Sequence, residues 1–232
     1  MKLWAYGDSH TAGAELGYKV NPEEFRKNGK YAGKNWNHYL IKHNEYSEII
    51  SGIACSPEDS WAGQLANFLN VDDYICRARP GWSNDGSIKQ MLDDISQWCE
   101  NDVIVWGVAT PWRYTPASKK LRADNHQPAR FPDKQARVFV EYGPHNDTFK
   151  LWTQGLMSLA KTLHPNLYMI HASRDDLAVK DYNLAQSLCI TDVSLGEYQI
   201  QGQYRVLPDT HYDRPCHKDY AEMIYNILGE IT

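Results

Sequence analysis

The chain lacks the features that mark a membrane protein or a nucleic-acid binder. No run of about 18 apolar residues occurs in the sequence, so the pattern predicts no membrane span. The net charge is −5, and the 24 basic and 29 acidic side chains are intermixed, so no basic stripe is present. We therefore expect neither a membrane nor a nucleic acid as a partner.

Cysteine pairs are missing as well. The cysteines are odd in number and widely spaced, and none belongs to a Cys-x-x-Cys motif: Cys55, Cys76, Cys99, Cys189 and Cys216. This pattern indicates free thiols in a reducing compartment. The N-terminal segment also lacks an apolar stretch of signal-peptide length. We therefore expect a cytoplasmic protein.

Apolar runs typical of strands alternate with segments of helical spacing. The strand-like runs are Leu3–Tyr6, Tyr74–Cys76, Val103–Val108 and Leu167–His171. Helices are predicted from Ser9, from Ser56 to about Asn70, over Ile88, Met91, Leu92, Ile95 and Cys99, over Trp152, Leu156, Leu159 and Leu163, and from Pro215 to Gly229. This alternation predicts an α/β fold with a mainly parallel sheet between two helical layers, and residues 103–108 as a central strand.

The length fits one domain over residues 1–232. Two polar stretches without sustained periodicity, at about 18–57 and 110–147, are interpreted as insertions, the second with a small hairpin around Ala136–Tyr142. The pattern over residues 173–207 is ambiguous.

The first strand runs into Gly7-Asp8-Ser9. A strand followed by a turn and a helix exposes a hydroxyl at the carboxyl edge of a parallel sheet, beside backbone N–H groups. Ser9 is therefore a candidate nucleophile, although Asp8 or Ser9 could equally cap a helix there. Such a serine needs a histidine base that a carboxylate orients, and Asp209-Thr210-His211 offers both before the last helix.

These motifs, taken in order, resemble those of the SGNH/GDSL hydrolase family. Gly7-Asp8-Ser9 resembles its nucleophile block, Gly81 its glycine block, and Asp209-Thr210-His211 its acid–base block in the Asp-x-His form of O-acetyltransferase-like and phage-encoded members. The resemblance implies a three-layer α/β/α sandwich with five parallel strands, Ser9 as nucleophile, His211 as base, Asp209 as its partner, and no cofactor. The Ser9 and Gly81 N–H groups would bind the oxyanion.

One block of the family pattern departs. After the central strand the family has Gly-x-Asn-Asp, whose asparagine completes the oxyanion hole, and this chain reads Gly107-Val108-Ala109-Thr110. Losing one oxyanion donor lowers the rate by about 10²–10³-fold. Thr110, Asn84 or Arg113 could replace the donor, or the protein could be slow or inactive. Gly143-Pro144-His145-Asn146-Asp147 is interpreted as a loop turn.

Other polar residues have simpler interpretations. Asp8 and His10, or a set of Asp209, His211, Asp213 and His217, could hold a metal ion, but further metal motifs are missing, so we expect none. His217 is expected on the helix surface. Asn84 and Asp85 most simply cap the following helix, and Asp8 is expected to hold its turn by hydrogen bonds to backbone N–H groups.

Two hypotheses for the function follow. The first is an esterase or acyltransferase acting on a small acyl ester, plausibly acetyl on a glycan, with Trp112 stacking on a sugar and Arg113 gripping an anionic group. The second is a catalytically weak or inactive binding module, for example an oligomeric or virion-associated component. It is motivated by Ala109 and by aromatic residues of the insertions: Tyr31, Trp36, Tyr39, Trp112 and Tyr114.

Overall fold

A computed structural model describes residues 1–14, 16–17, 55–80, 82–109, 146–172, 188–206 and 211–231, with the backbone alone for 146–150 and 231. The described strands are β1 (Lys2–Tyr6), β2 (Asp73–Cys76), β3 (Val103–Val108) and β4 (Leu167–His171). The described α-helices are α1 (Trp61–Phe68), α2 (Asn84–Asp94), α3 (Asn146–Ala160), α4 (Leu195–Gly202) and α5 (Arg214–Ile231), and short 3₁₀ turns span Pro57–Asp59 and Ile95–Gln97.

The four strands form one parallel sheet in the order β2-β1-β3-β4. Tyr6 lies opposite Trp106, and Val108 lies opposite His171, so β1, β3 and β4 end at the same edge. A parallel bridge between Met169 and Cys189 continues the sheet beyond β4, at the place of a fifth strand. The predicted parallel sheet and the interior position of residues 103–108 are confirmed.

Both faces of the sheet are covered, as the apolar strands require. Alternate residues of each strand point to opposite faces and contribute to two separate cores. Helices α1 and α5 pack on one face, around Trp61 and Tyr220, and helices α2 and α3 pack on the other, around Met91 and Met157. The predicted α/β/α layering is therefore present.

The first two predicted helices begin differently from what the sequence suggested. No helix forms over the described residues after Ser9; the chain makes a series of turns instead, because Gly13 takes the left-handed conformation (φ 65°). In the second helix, Ser56 makes no capping hydrogen bond, and the Ser60 side chain caps α1 by accepting from the N–H of Gly63. Asn70, with φ 49°, lies just past its end as expected.

Several apolar residues placed on buried helix faces are exposed. Trp152 and Leu159 lie on the outside of α3, which turns a stripe of Thr153, Met157 and Ala160 toward the sheet. These less bulky side chains let the helix approach the tryptophans Trp4 and Trp106 beneath it. Three more such residues are exposed, Leu92 within α2 and Ile95 and Cys99 after it.

The remaining corrections concern boundaries. Asn146 and Asp147 belong to α3 and not to a loop turn, and α5 continues past Gly229 to Ile231. The strand at Tyr74–Cys76 is only half-buried because it ends the described sheet. In the ambiguous region, Ser194 and Glu197 form a reciprocal capping box that begins α4.

Most of both predicted insertions, including the hairpin at 136–142, lies outside the described residues. None of the five cysteines forms a disulfide. In the described part of the chain, no helix is both long and apolar enough to span a membrane.

Candidate active site

The turn that follows β1, residues 7–14, carries Ser9 at the carboxyl edge of the sheet, where parallel α/β folds bind their ligands. We call it the Ser9 turn. Gly7 has φ 147°, and a side chain there would overlap Thr11 and lie 2.8 Å from the carbonyl oxygen of Gly107. Only glycine therefore lets the chain leave β1 this close to β3.

Hydrogen bonds within the Ser9 turn fix its shape. The N–H of Ala12 donates to the carbonyl of Asp8, and the N–H of Ala14 donates to the carbonyl of Ser9, both at 2.9 Å. The buried Asp8 carboxylate accepts from the N–H of His10 at 3.1 Å. The prediction that Asp8 holds the turn is confirmed.

The end of the turn is tied to distant parts of the chain. Ser56 N–H donates to the carbonyl of Gly13 at 3.0 Å, beside an antiparallel bridge between Ala14 and Cys55. Arg214, at the start of α5, donates to the carbonyl of Leu16 at 2.6 Å and forms an ion pair with Asp59 at 2.9 Å. The position of Ser9 therefore depends on contacts from the start of the chain to its last helix.

His211 approaches this turn through ring contacts with His10. The centroids of the two imidazoles lie 5.0 Å apart with their planes tilted by 57°. The ring of Tyr212 stacks on the His10 imidazole, with a centroid distance of 5.1 Å and an interplanar angle of 19°. Ser9 and His211 are only 5% and 7% exposed. The structure thus brings the segment of His211 against the turn that carries Ser9.

His217 is buried, contrary to the expectation that it lies on the surface of the last helix. Its Nδ1 accepts from the N–H of Trp61 at 3.0 Å, so the imidazole supplies a hydrogen bond at the N-terminus of α1. Its Nε2 is buried and has no hydrogen-bond partner among the described residues. Burial lowers the pKa of His217 to about 3, and the charge of His211 adds to this effect. His217 is therefore a neutral residue that joins α5 to α1 near His211.

Asn84 does not cap α2. Ser83 does so by accepting from the N–H of Gly86, and the Asn84 side chain crosses to the end of β3 instead. Its Oδ1 accepts from the N–H of Ala109 at 2.8 Å, and its Nδ2 donates to the carbonyl of Ala109 at 2.9 Å. The amide of Asn84 is thus held against the backbone of Ala109, the residue that directly follows β3.

Five predicted site residues lie outside the described part of the chain: Asp209, Gly81, Thr110, Trp112 and Arg113. Arg79, two residues before Gly81, donates its N–H to the carbonyl of Gly7 at 3.2 Å. The chain that leads to the glycine block therefore runs alongside the Ser9 turn.

A metal site finds no support among the described residues, where no three His, Cys, Asp or Glu side chains are grouped to hold an ion. Asp213 accepts from the N–H of Cys216 at 3.2 Å and so serves the first turn of α5. Asp209, the other acidic member of the suggested set, is not described.

Sequence reasoning missed three buried polar residues around this edge. His10 was considered only as a metal ligand, and its ring contacts have no local signal. Thr11 fills the space that Gly7 and Gly107 leave open, and its hydroxyl is buried without a hydrogen-bond partner in the described structure. His171 ends β4, and burial lowers its pKa to about 4. An apolar strand that ends in histidine was the one available signal.

Comparisons with known proteins give only distant likenesses. No family model and no curated protein matches the chain. Among solved structures, it is similar to an acetyl xylan esterase (Est2A) from Butyrivibrio proteoclasticus, with 13% identity and a TM-score of 0.49 over 98% of this chain and 63% of that one. It is also similar to a protein assigned to the G-D-S-L family of lipolytic proteins from Desulfitobacterium hafniense DCB-2, with 11% identity and a TM-score of 0.44 over 97% and 98% of the two chains.

A third similar structure, named for a GDSL-like lipase, comes from Parabacteroides merdae ATCC 43184, with 12% identity and a TM-score of 0.45 over 99% of this chain and 95% of that one. The chain thus spans less than two thirds of the acetyl xylan esterase and nearly all of the other two proteins. Likenesses at this level carry no argument about what this chain acts on.

Proposed function

We propose that the chain is a serine-dependent esterase or acyltransferase that acts on a small acyl ester. Ser9 is its nucleophile, His211 its general base, and Asp209 the carboxylate that orients His211. The observation that supports this proposal best is the 5.0 Å ring contact between His10 and His211, because it joins the Ser9 turn to the segment of the base. The carboxyl edge of the parallel sheet is also where such folds bind ligands.

The reaction follows from these roles. The Ser9 oxygen attacks the acyl carbonyl carbon while His211 takes the hydroxyl proton, and a tetrahedral oxyanion forms. When the intermediate collapses, the bond to the leaving alcohol breaks and His211 returns the proton to that alcohol. Water, or a second alcohol in a transferase, then attacks the acyl-serine while His211 takes its proton. The bond between the acyl group and the Ser9 oxygen breaks, and His211 returns the proton to Ser9.

The oxyanion is proposed to bind the backbone N–H groups of Ser9 and Gly81. The third donor is proposed to be Asn84, since its amide already lies against Ala109 and one of its two Nδ2 hydrogens is not needed for the bond to that residue. An oxyanion donor of this kind contributes about 10²–10³-fold in rate. Thr110 and Arg113 are the alternative donors.

An acetylated, anionic glycan is the proposed substrate. Trp112 and Arg113 follow directly on β3, which ends at the edge of the sheet that carries Ser9. An aromatic ring can stack on a sugar, and a guanidinium can bind a carboxylate or phosphate. Trp112→Ala is expected to weaken turnover of a polymeric substrate and to leave a small aryl acetate almost unaffected.

A non-catalytic binding module is the second candidate. It is favoured by the absence of a polar side chain at Ala109 that could bind an oxyanion. Asn84 already makes two hydrogen bonds to the backbone of Ala109. In this case the edge of the sheet would bind an ester or glycan without cleaving it.

The two candidates are separated by p-nitrophenyl acetate hydrolysis and by labelling with a fluorophosphonate probe. The variants are Ser9→Ala, His211→Ala and, as a matched control, Ser158→Ala on the exposed side of α3. The esterase proposal expects stoichiometric labelling at Ser9 and loss of hydrolysis in the first two variants only. Equal hydrolysis by the wild type and Ser9→Ala would remove Ser9 from the mechanism, and absence of labelling would favour the binding module.

A further inference from the structure

The residue next to the proposed nucleophile, His10, has a ring contact with the proposed base, His211. Its imidazole contacts two rings from the far end of the chain, with Tyr212 stacked at 5.1 Å and His211 tilted at 5.0 Å. All three side chains are buried. A side chain so enclosed by aromatic neighbours has few alternative rotamers.

The backbone of His10 is fixed independently of these rings. Its N–H donates to the carboxylate of Asp8 at 3.1 Å, and the carbonyls of Asp8 and Ser9 accept from Ala12 and Ala14. The ring of His10 is therefore carried by the same short turn that carries Ser9. Because His10 and Ser9 are neighbours in this turn, a shift of the His10 ring also shifts the Ser9 backbone.

The opposite side of the contact is also anchored. Tyr212 forms an antiparallel bridge with Val206, and the N–H of Asp213 donates to the carbonyl of Arg205 at 3.2 Å. Tyr212 further packs in the core beneath α1 and α5. His211 directly precedes the anchored residues Tyr212 and Asp213. Its backbone is therefore tied to this segment, and its ring contacts His10.

We propose that His10 is a positioning residue that sets the place of the His211 imidazole relative to Ser9 through the contact between the two rings. The proposal rests on the proposed function, because the position of His211 matters for rate only if it is the base. In a reaction of this type, a displacement of about 1 Å between nucleophile and base lowers the rate by about 100-fold. The feature required is a ring at position 10 that contacts His211.

Three variants separate ring contact from volume and from chemistry. His10→Phe keeps a flat ring, His10→Leu keeps an apolar side chain of similar bulk, and His10→Ala removes both. The expected result is that His10→Ala lowers kcat for p-nitrophenyl acetate by about 100-fold with KM almost unchanged. His10→Phe is expected to recover most of this loss, and His10→Leu little of it.

A second readout does not depend on activity. The NMR signal of the His211 Hε1 proton, assigned by its loss in His211→Gln, reports the ring that faces it. It is expected to move in His10→Ala and His10→Leu and to stay near its wild-type position in His10→Phe. If Ser9→Ala leaves hydrolysis unchanged, the proposed function fails, and this signal alone then tests the placement of His211.

The proposal is overturned by any of three results. One is a folded His10→Ala protein with wild-type kcat, and another is a His211 signal that does not move in that variant. The third is equal recovery by His10→Leu and His10→Phe, which would show that volume alone suffices. If His10→Ala does not fold, the comparison between the leucine and phenylalanine variants decides.

Discussion

Two buried histidines should make the fold sensitive to mild acid. His217 is fully buried against the N-terminus of α1, and His171 is buried at the end of β4. Burial lowers the pKa of His217 from 6.5 to about 3, with a contribution from His211 that the charge of Asp59 opposes. Burial lowers the pKa of His171 from 6.5 to about 4, against the charges of Glu197 and Asp192.

The sign of the effect follows from these directions. Both pKa values are lower in the folded state, so between the folded and unfolded pKa values the unfolded chain binds more protons. The stability is therefore complete above about pH 6.5 and is lost as the pH falls toward the folded pKa. At pH 5, each histidine lowers the free energy of unfolding by about 2 kcal/mol relative to pH 7.5. Together they remove about 4 kcal/mol from a typical total of about 5–15 kcal/mol.

Urea unfolding at several pH values from 7.5 to 5 measures this loss. His217→Asn removes the titrating ring and places an amide oxygen near the former Nδ1, where it can accept from the N–H of Trp61. This variant should be less stable at pH 7.5 and should lose about 2 kcal/mol less than the wild type between pH 7.5 and 5. His171→Phe should reduce the pH dependence by a similar amount. If the curves of the wild type and His217→Asn stay parallel over this range, the reasoning about buried neutral imidazoles is refuted.

Three further changes test the packing that holds the Ser9 turn and the neighbouring core. Thr11→Val should raise the free energy of unfolding by about 1 kcal/mol in urea titrations, because the hydroxyl that it removes is buried and has no hydrogen-bond partner in the described part of the chain. A loss of stability as large as that of Thr11→Ala would show that the hydroxyl has a partner. Gly107→Ala should lower the melting temperature and reduce the free energy of unfolding by about 1–3 kcal/mol, because its new methyl group would overlap Thr11. This loss should be smaller when Thr11→Ala is also present, and strict additivity of the two substitutions would contradict the overlap. Asp94→Ala should lower the stability by about 2–3 kcal/mol in chemical denaturation, because this buried carboxylate accepts from four side chains: Tyr6, Arg77, Gln90 and Gln97. A neutral effect would mean that these hydrogen bonds contribute nothing to the stability.

The sequence by itself determined the four strands of the described sheet. Continuous apolar runs at 103–108 and 167–171 favour strands of a parallel sheet that is covered on both faces. The structure has both runs in such a sheet. The position of Ser9 followed from the same logic, because a Gly-Asp-Ser turn after an apolar strand must lie at the carboxyl edge of the sheet. Inferences of this kind need only the local pattern of residues, although distant contacts also hold the Ser9 turn in the folded protein.

Tertiary structure alone decided which helix faces are buried. In α3 a stripe of large residues through Trp152 and Leu159 competes with a stripe of less bulky residues through Thr153 and Met157, and both have helical spacing. The choice depends on how closely the helix must approach the sheet. Periodicity along one helix carries no information about that distance.

The same reason separates the predicted from the unpredicted site residues. Ser9 and His211 could be predicted because each belongs to a short motif whose chemistry is local. Their catalytic roles remain predictions, as do the roles of Asp209, Gly81, Thr110, Trp112 and Arg113. The contact of His10 with His211, the burial of His217 under Trp61 and the pairing of Asn84 with Ala109 join residues 25 to 201 positions apart in the sequence. Such pairs meet only when the sheet and its two helical layers have formed, because the side chains that enclose them come from separate elements.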